Sequence, residues 1–336
     1  MSKDIMKSDN VKKNINSKKF FKTNKNNLLK PTLSYKIFTY CNNTFLVLLA
    51  ILCLFPLIQV LAVSFSHDLA IKAGKVFFIP VDFALNENKE AVYYPMRFNL
   101  AAYAYMLSNK EFWLAFVVAI ERVVFGTLIN MFLIVICAYP LSQDPKKFPM
   151  RLVYVWFFFF TSLFSGGLIP GYYVVYTTGL LDSIWGLIIP GAVSVWSVIL
   201  LLNFFRQLPK ELDEAAFMDG AGHWTILFKI YLPLSLPALA TLTLFSIVGH
   251  WNEWFTAIIY INNRTKWPLA TYLQSIIIGR EITAPPDSKA GTGSLGMSQQ
   301  NMIAAQIFIG AVPILMVYPF LQKYFAKGIV LGSVKG

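Results

Sequence analysis

Charge is scarce in this 336-residue chain. Asp, Glu, Lys and Arg together make up 14% of it, against the roughly 25% usual in soluble domains. Cysteine and histidine are scarcer still, at three residues each. Cys53 and Cys137 lie inside apolar runs and Cys41 stands apart, so there is no disulfide framework and no metal-ligand spacing. His67, His223 and His250 are scattered and are read as structural. No Gly-x-x-x-x-Gly-Lys-Ser/Thr loop occurs, so the chain lacks the phosphate cradle with which many proteins hold ATP. No paired carboxylates at catalytic spacing stand out either.

What the chain holds in excess is apolar surface: 56% of it is hydrophobic and 16% aromatic. Six apolar stretches, at 44–65, 113–141, 152–170, 185–205, 236–261 and 303–324, are long enough to cross a bilayer. A crossing takes about 20 residues at 1.5 Å rise each. Unpaired backbone groups are too costly in lipid for irregular spans, so these are expected to be helices. The expected fold is an all-α membrane protein with six transmembrane helices over 38–336.

The net charge is +12, and its placement gives orientation. Residues 1–37 hold ten Lys against Asp4 and Asp9, a basic tail expected to be solvated and disordered rather than a nucleic-acid arm. The apolar run that follows covers roughly 20 residues, longer than the about 7–15 of a cleaved signal, so it reads as a retained first span. Lys- and Arg-rich flanks stay cytoplasmic. That puts 142–151, 206–235 and the C-terminal tail inside, with Lys146, Lys147, Arg151, Arg206, Lys210, Lys229, Lys323, Lys327 and Lys335. Of the outer connections, 66–112 is balanced and 171–184 has no Lys or Arg, while 262–302 carries Arg264, Lys266, Arg280 and Lys289. The rule is obeyed as a bias, with both termini cytoplasmic. Within the outer segments, 75–83 reads as a short strand, 267–279 as a helix, and 283–298, rich in Pro, Gly and Ser, as a flexible loop.

The inner loop 206–235 is the most informative segment. Pro209 suits a first helical turn, where its missing donor costs nothing. Glu211, Asp213 and Glu214 put negative charge at that helix's positive end. Leu212, Ala215 and Ala216 make one apolar face at i, i+3 and i+4, and the two Ala allow close approach of a partner. Gly220 and Gly222 can supply positive φ and stop the helix. A second short amphipathic helix, about 223–231, is expected to end before Pro233. Two short helices with a sharp bend, displaying acids and small residues, suit docking into a partner's groove.

At this loop the chain resembles the permease subunits of ABC importers, whose pattern is Glu-Ala-Ala, three residues, Gly, nine residues, Ile, one residue, Leu-Pro. Here Glu214-Ala215-Ala216, Gly220, Ile230 and Leu232-Pro233 fill every fixed position. The resemblance covers roughly 40–336 and is closest to the carbohydrate branch, the second of two unlike permeases in maltose-type importers, with details of a Gram-positive-style subgroup for complex oligosaccharides. Asp219-Gly220-Ala221-Gly222, the Trp251-Asn252-Glu253-Trp254-Phe255 segment, Trp267-Pro268-Leu269 and the Lys-Gly ending at 327–336 carry it; residues 1–37 do not.

The resemblance implies a coupling helix seated in a cleft of an ATPase subunit, with Glu214 pairing a basic group there and Gly220 making the bend. It implies two ATPase subunits holding ATP and magnesium, with no cofactor in this chain, and a second, unlike permease. It also implies an extracytoplasmic solute-binding lipoprotein and a place in a bacterial cell membrane. The cargo is expected to be a sugar or oligosaccharide, moved inward by alternating access; a non-sugar solute is the alternative. Trp251, Asn252, Glu253 and Trp254 offer the aromatic faces, amide and acid that sugars are bound by, or form an interfacial aromatic belt with Asn252 and Glu253 capping or facing water. Glu121 and Arg122, in the outer part of the second span, are read as a structural pair rather than a substrate site. An ion-gradient-driven carrier would want broken helices and paired mid-membrane charges and leaves the loop unexplained. A membrane glycosyltransferase using Glu253 or Asp182 would want a second acid.

Overall fold

The computed structural model describes residues 33–85, 91–283 and 299–332. The basic tail over 1–32, the Pro/Gly/Ser-rich stretch over 284–298 and the last four residues lie outside them. The chain divides into two units, 1–59 and 60–336. The first unit holds most of α1 (Leu33–Ser64), which begins eleven residues before the expected span. Its side chains from Leu33 to Ile58 are almost all exposed and mostly apolar on every face. A helix that is hydrophobic all round needs lipid or protein around it.

The second unit opens on the last residues of α1. His67 caps α2 (Asp68–Lys72), its Nδ1 accepting from the Leu69 amide at 3.2 Å. A hairpin follows: β1 (Val81–Leu85) pairs antiparallel with β2 (Ala91–Pro95), Val81 facing Pro95. The strand expected over 75–83 is therefore displaced. Pro80 cannot donate to a ladder and marks its start, and the partner strand was not anticipated.

α3 (Ala101–Ser108) leads into α4 (Lys110–Ser142), which Asn109 caps by accepting from the Glu111 amide at 2.9 Å. α4 is the centre of this unit, packed against both α8 (Val195–Arg206) and α12 (Leu236–Asn252). Its buried positions Ala115, Ala119, Arg122, Gly126, Asn130, Ile134, Ala138 and Leu141 recur every three or four residues. Small residues in that stripe let neighbouring backbones come close, the usual means of packing helices in lipid.

Three of the expected spans are bent. α5 (Arg151–Leu163) turns by 112° into α6 (Leu168–Thr177), so the stretch 152–170 is not one straight helix; Gly167, at φ +86°, makes the turn. α7 (Ile184–Ile188) and a 3₁₀ turn (Ile189–Gly191) meet α8 at 48°. After α9 (Glu211–Met218), the run α10 (His223–Ile226), a π turn (Leu227–Tyr231) and α11 (Leu232–Leu234) meets α12 at 82°. The expected fifth span also breaks at Glu253 and Trp254 before α13 (Phe255–Tyr260). α14 (Leu269–Thr283) is the helix expected over 267–279, and α15 (Gln299–Gly332) follows. Three helices are long and apolar enough to cross a membrane, or up to six if each bent pair is one span, among the described residues.

Connections assigned to the same side meet one another. Lys210 bridges Asp144 at 2.7 Å and Arg206 donates to the Leu141 carbonyl at 3.1 Å, joining 142–151 to the 206–235 loop. At the other end Asp182, in the left-handed region at φ 55°, accepts from the amides of Asn262 at 2.6 Å and Asn263 at 3.0 Å. Those two amides hold the Asp182 carboxyl below the usual carboxylate range.

The α4–α12 contact is tightest at Gly126, where an added Cβ would lie 2.7 Å from the His250 ring. Gly→Ala in a helix is ordinarily favourable by about 1 kcal/mol. Overpacking costs about 1–3 kcal/mol, and a rigid imidazole cannot swing aside as a flexible chain end does. Gly126→Ala is therefore expected to lower the melting temperature of the detergent-purified protein, whereas Gly249→Ala, whose Cβ meets nothing within 4 Å, should not.

Candidate functional site

The 206–235 loop is built around α9. The Pro209 carbonyl accepts from the Leu212 amide at 3.3 Å, and Lys210 accepts from Asp213 and Glu214 at 3.0 and 3.1 Å. Pro209 thus stands just ahead of the helix, and Glu211, Asp213 and Glu214 fill its first turn. The apolar face differs from expectation. Ala216 is buried with Asp213, while Leu212, Ala215 and Met218 face outward beside Glu214. The buried side is chosen by Ala216's fit against the apolar cluster of α4, α8 and the π turn.

The bend is closed by two hydrogen bonds: Gly220 donates to Phe217 O at 3.0 Å and Ala221 to Ala216 O at 2.9 Å. This is the Schellman closure, which needs its glycine in the left-handed region, and Gly220 sits at φ +78°. Gly222 does not share that role. At φ −77° and ψ 166° it is the extended residue ahead of α10. Nor does the second helix stop before Pro233. It widens to a π turn, Leu232 donating to Leu227 O, and so passes through a residue that has no amide hydrogen to give. Ser235, donating to Tyr231 O at 3.0 Å, then turns the chain into α12.

Behind this surface lies a polar anchor that sequence reading missed. The Tyr231 hydroxyl donates to Asp213 Oδ2 at 2.8 Å in a buried setting. The Tyr231 ring meets Tyr139 at 5.1 Å and Phe205 at 5.2 Å, both edge-on. Burial first, and the Asp213 carboxylate second, push the Tyr231 hydroxyl above the usual tyrosine value, so it remains a donor. Asp213 and Tyr231 are eighteen residues apart, and no local pattern links them. Lys147 adds a cation 4.4 Å from the Phe217 ring, and Lys210 holds the Asp144 carboxyl below its usual range.

Deeper in the bundle, α4, α7, the 3₁₀ turn, α8, α12 and α13 border an open cavity of about 670 Å³ lined in part by Arg122, Asn130, Trp196, His250 and Glu253. Arg122, 2% exposed, donates to the Glu253 carbonyl at 2.8 Å, to Glu253 Oε2 at 2.6 Å and to Thr256 Oγ1 at 3.2 Å. Glu253 also accepts from the Thr256 amide at 3.0 Å and from its hydroxyl. Arg122 therefore pairs with another helix, and Glu121 is exposed.

The break at Glu253 separates the four residues 251–254. Glu253 faces this cavity, while Trp251, Asn252 and Trp254 line a different one of about 350 Å³, beside Leu269, Gln274 and Gln306. Trp251 is buried, its indole N–H donating to Gly310 O at 2.8 Å, which makes it part of the packing between α12 and α15.

Two expectations follow. Tyr231→Phe strands a buried carboxylate oxygen, so unfolding in detergent should be easier by about 1–3 kcal/mol; Asp213→Asn, whose amide oxygen can still accept, should cost less. Arg122→Met leaves the Glu253 carboxylate without its cation. That should cost about 3 kcal/mol, near the low end for breaking a buried pair, because the Glu253 side chain keeps 33% exposure. Glu121→Met should change little in the same thermal or denaturant melt.

Residues 112–331 match the family described as the inner membrane component of binding-protein-dependent transport systems. The polygalacturonan/rhamnogalacturonan transport system permease protein YtcP of Bacillus subtilis (strain 168) is 40% identical over 87% of this chain and 96% of its own length. Protein LplC of the same organism is 38% identical over 91% of this chain and 97% of its own. Among solved structures, a chain of a bacterial ABC transporter involved in import of the acidic polysaccharide alginate is similar at TM-score 0.74 and 32% identity, covering 88% of this chain and 98% of that one. By sequence over most of its length, and by fold, the chain belongs to the binding-protein-dependent transport family as a membrane permease component.

Proposed function

We propose that this chain is one permease of an ATP-driven importer that moves a sugar or oligosaccharide inward by alternating access. In this reading it crosses the membrane six times with both termini in the cytoplasm, as the lysine bias of the inner connections favours. A second, unlike permease completes the translocation path. A solute-binding protein delivers cargo to the outer face, and two ATPase subunits carry ATP and magnesium. The named cargoes of YtcP and of the alginate importer support a saccharide over other solutes.

The observation that carries the coupling role is the two-sidedness of α9. Its outward side offers Glu214, Ala215 and Met218, Met218 being 88% exposed, and its inward side is fixed by Ala216 and Asp213. An exposed methionine and a small residue beside a carboxylate on a rigid backing are what a groove with a basic group can grip. Asp219, Gly220, Ala221 and Gly222 form the bend at the end of this surface, with Gly220 setting its direction. Force applied there passes along α10 and the π turn to Leu232 and Pro233, where the chain turns by 82° into α12. α12 borders the cavity of about 670 Å³, so a tilt of α12 changes the cavity's shape.

The test is made on the assembled transporter in proteoliposomes. Glu214→Ala should reduce cargo-stimulated ATP hydrolysis and uptake together by tenfold or more, on the scale of about 1.4 kcal/mol per factor of ten. Gly220→Pro should abolish both, because proline cannot take a φ of +78°. If uptake and ATPase stimulation survive both changes, α9 is not the coupling element.

A further inference from the structure

The face of this unit that carries Asp182 and Asn263 also carries a cleft that none of the roles above uses. Its volume is about 350 Å³, and it lies between the α3–α4 corner and the segment leading into α14. Tyr105, Trp267 and Tyr272 give it aromatic walls, and Asn109, Glu111 and Arg264 give it polar ones. The aromatic rings are held. Asn109 Nδ2 donates to the Tyr272 hydroxyl at 3.1 Å, and the Trp267 indole N–H donates to the Ile261 carbonyl at 2.9 Å. Arg264 sits with its guanidinium carbon 5.5 Å from the Trp267 ring centroid. Among the described residues Arg264 makes no ion pair, and Glu111 on the same lining is not within ion-pair distance of it. Neighbouring Lys266 is turned away, donating to the Asp182 carbonyl at 2.8 Å.

Each group has one natural counterpart on a sugar acid. Aromatic faces take the C–H face of a pyranose ring. An arginine fork takes a carboxylate through two parallel hydrogen bonds, a geometry a lysine does not match. Glu111 and the Asn109 amide suit ring hydroxyls, which can both donate and accept. The cleft lies within the usual size range of small-ligand sites. We infer that this cleft binds a uronic-acid residue of the incoming saccharide on the outer face, with Arg264 as the carboxylate partner and Trp267 as the stacking surface. The inference rests on the importer reading and narrows it from a saccharide to an acidic one. It also separates first contact from the deeper cavity, where Arg122 is already committed to an ion pair with Glu253 at 2.6 Å.

The experiment uses the full transporter with its ATPases and binding protein in proteoliposomes. Uptake is measured for trigalacturonate, its methyl ester and maltotriose. The wild type should favour the acid over its ester. Arg264→Gln should raise the half-saturating concentration for the acid by roughly tenfold, the scale of one charge-assisted hydrogen bond, and leave the ester unchanged. Arg264→Lys should recover only part of that loss. Trp267→Ala should weaken uptake of acid and ester alike, and a melting curve of each variant reports whether the fold is kept. Equal effects of Arg264→Gln on acid and ester, or no effect, overturn the inference while the importer reading stands. So does a wild type that carries maltotriose alone. If Arg264→Gln instead weakens attachment of the sugar-free binding protein by the same factor, the cleft is a protein-docking surface and the inference is wrong. A wild type that takes up none of these or other saccharides under ATP defeats the importer reading itself.

Discussion

Helix breaks are the costly feature of this fold, and α4 makes them tolerable. A break inside an apolar bundle leaves carbonyl groups without their intrahelical donors, and lipid offers none in return. Two buried polar residues of α4 supply the missing bonds. Arg122 donates to the Glu253 carbonyl at the end of α12, and Asn130 donates to the Ala192 carbonyl between the 3₁₀ turn and α8, at 2.8 Å in each case. Thr271 serves the next carbonyl along, its hydroxyl donating to Trp254 O at 2.9 Å. The polar residues that interrupt α4's stripe of small ones are thus structural donors. A uniformly apolar α4 would pack as closely and leave both breaks unsatisfied.

The breaks in turn place the cavity. Where a helix is interrupted, its backbone and its end residues face inward instead of continuing a lipid-facing surface, which is why irregular backbone in membrane proteins lines cavities. Glu253, Ser194 and Pro190 all come from break regions or their edges, and all line the space of about 670 Å³. The charge of Arg122 costs less here than it would alone because the carboxylate it meets belongs to the same break whose carbonyl it satisfies. One side chain therefore completes the backbone, pairs a charge and fixes where α12 ends.

How much of this was legible in the sequence depended on whether the cause was local. The apolar stretches and the loop 206–235 were readable because hydropathy, lysine placement and the fixed spacing from Glu214 to Pro233 are local properties. The bend at Gly220 was readable for the same reason. Gly222 was not distinguishable from Gly220 by composition, since the closure that selects one of them depends on which carbonyls, Ala216 and Phe217, lie one turn back. The bends at Gly167 and at 189–194 were hidden inside continuous apolar runs, where lipid exposure and a cavity wall call for the same residue types. The partners Arg122 and Glu253, 131 residues apart, and Asp213 and Tyr231 could not be joined without the fold. Residues 251–254 looked like one site because they are adjacent, yet adjacency at a helix break is what sends their side chains to opposite sides.

The same logic bears on the proposed coupling role of the loop, which asks for a stiff part and a part that yields. A lever must not bend where it is pushed. α9 meets this through the Schellman closure at Gly220 and the buried Tyr231–Asp213 bond, both of which fix it to its backing. A lever must also have a place where motion is cheap, and regular helix is poor at that because bending it breaks hydrogen bonds in series. The π turn at Leu227–Tyr231 and the proline after it supply such a place: the bond register is already shifted there, and Pro233 contributes no donor to lose. Tyr231 belongs to both parts, since its hydroxyl holds α9 and its backbone lies in the wide turn. In the proposed coupling role, movement of α9 would therefore reach the turn that aims α12, and through α12 the cavity wall, without any residue spanning the distance between them.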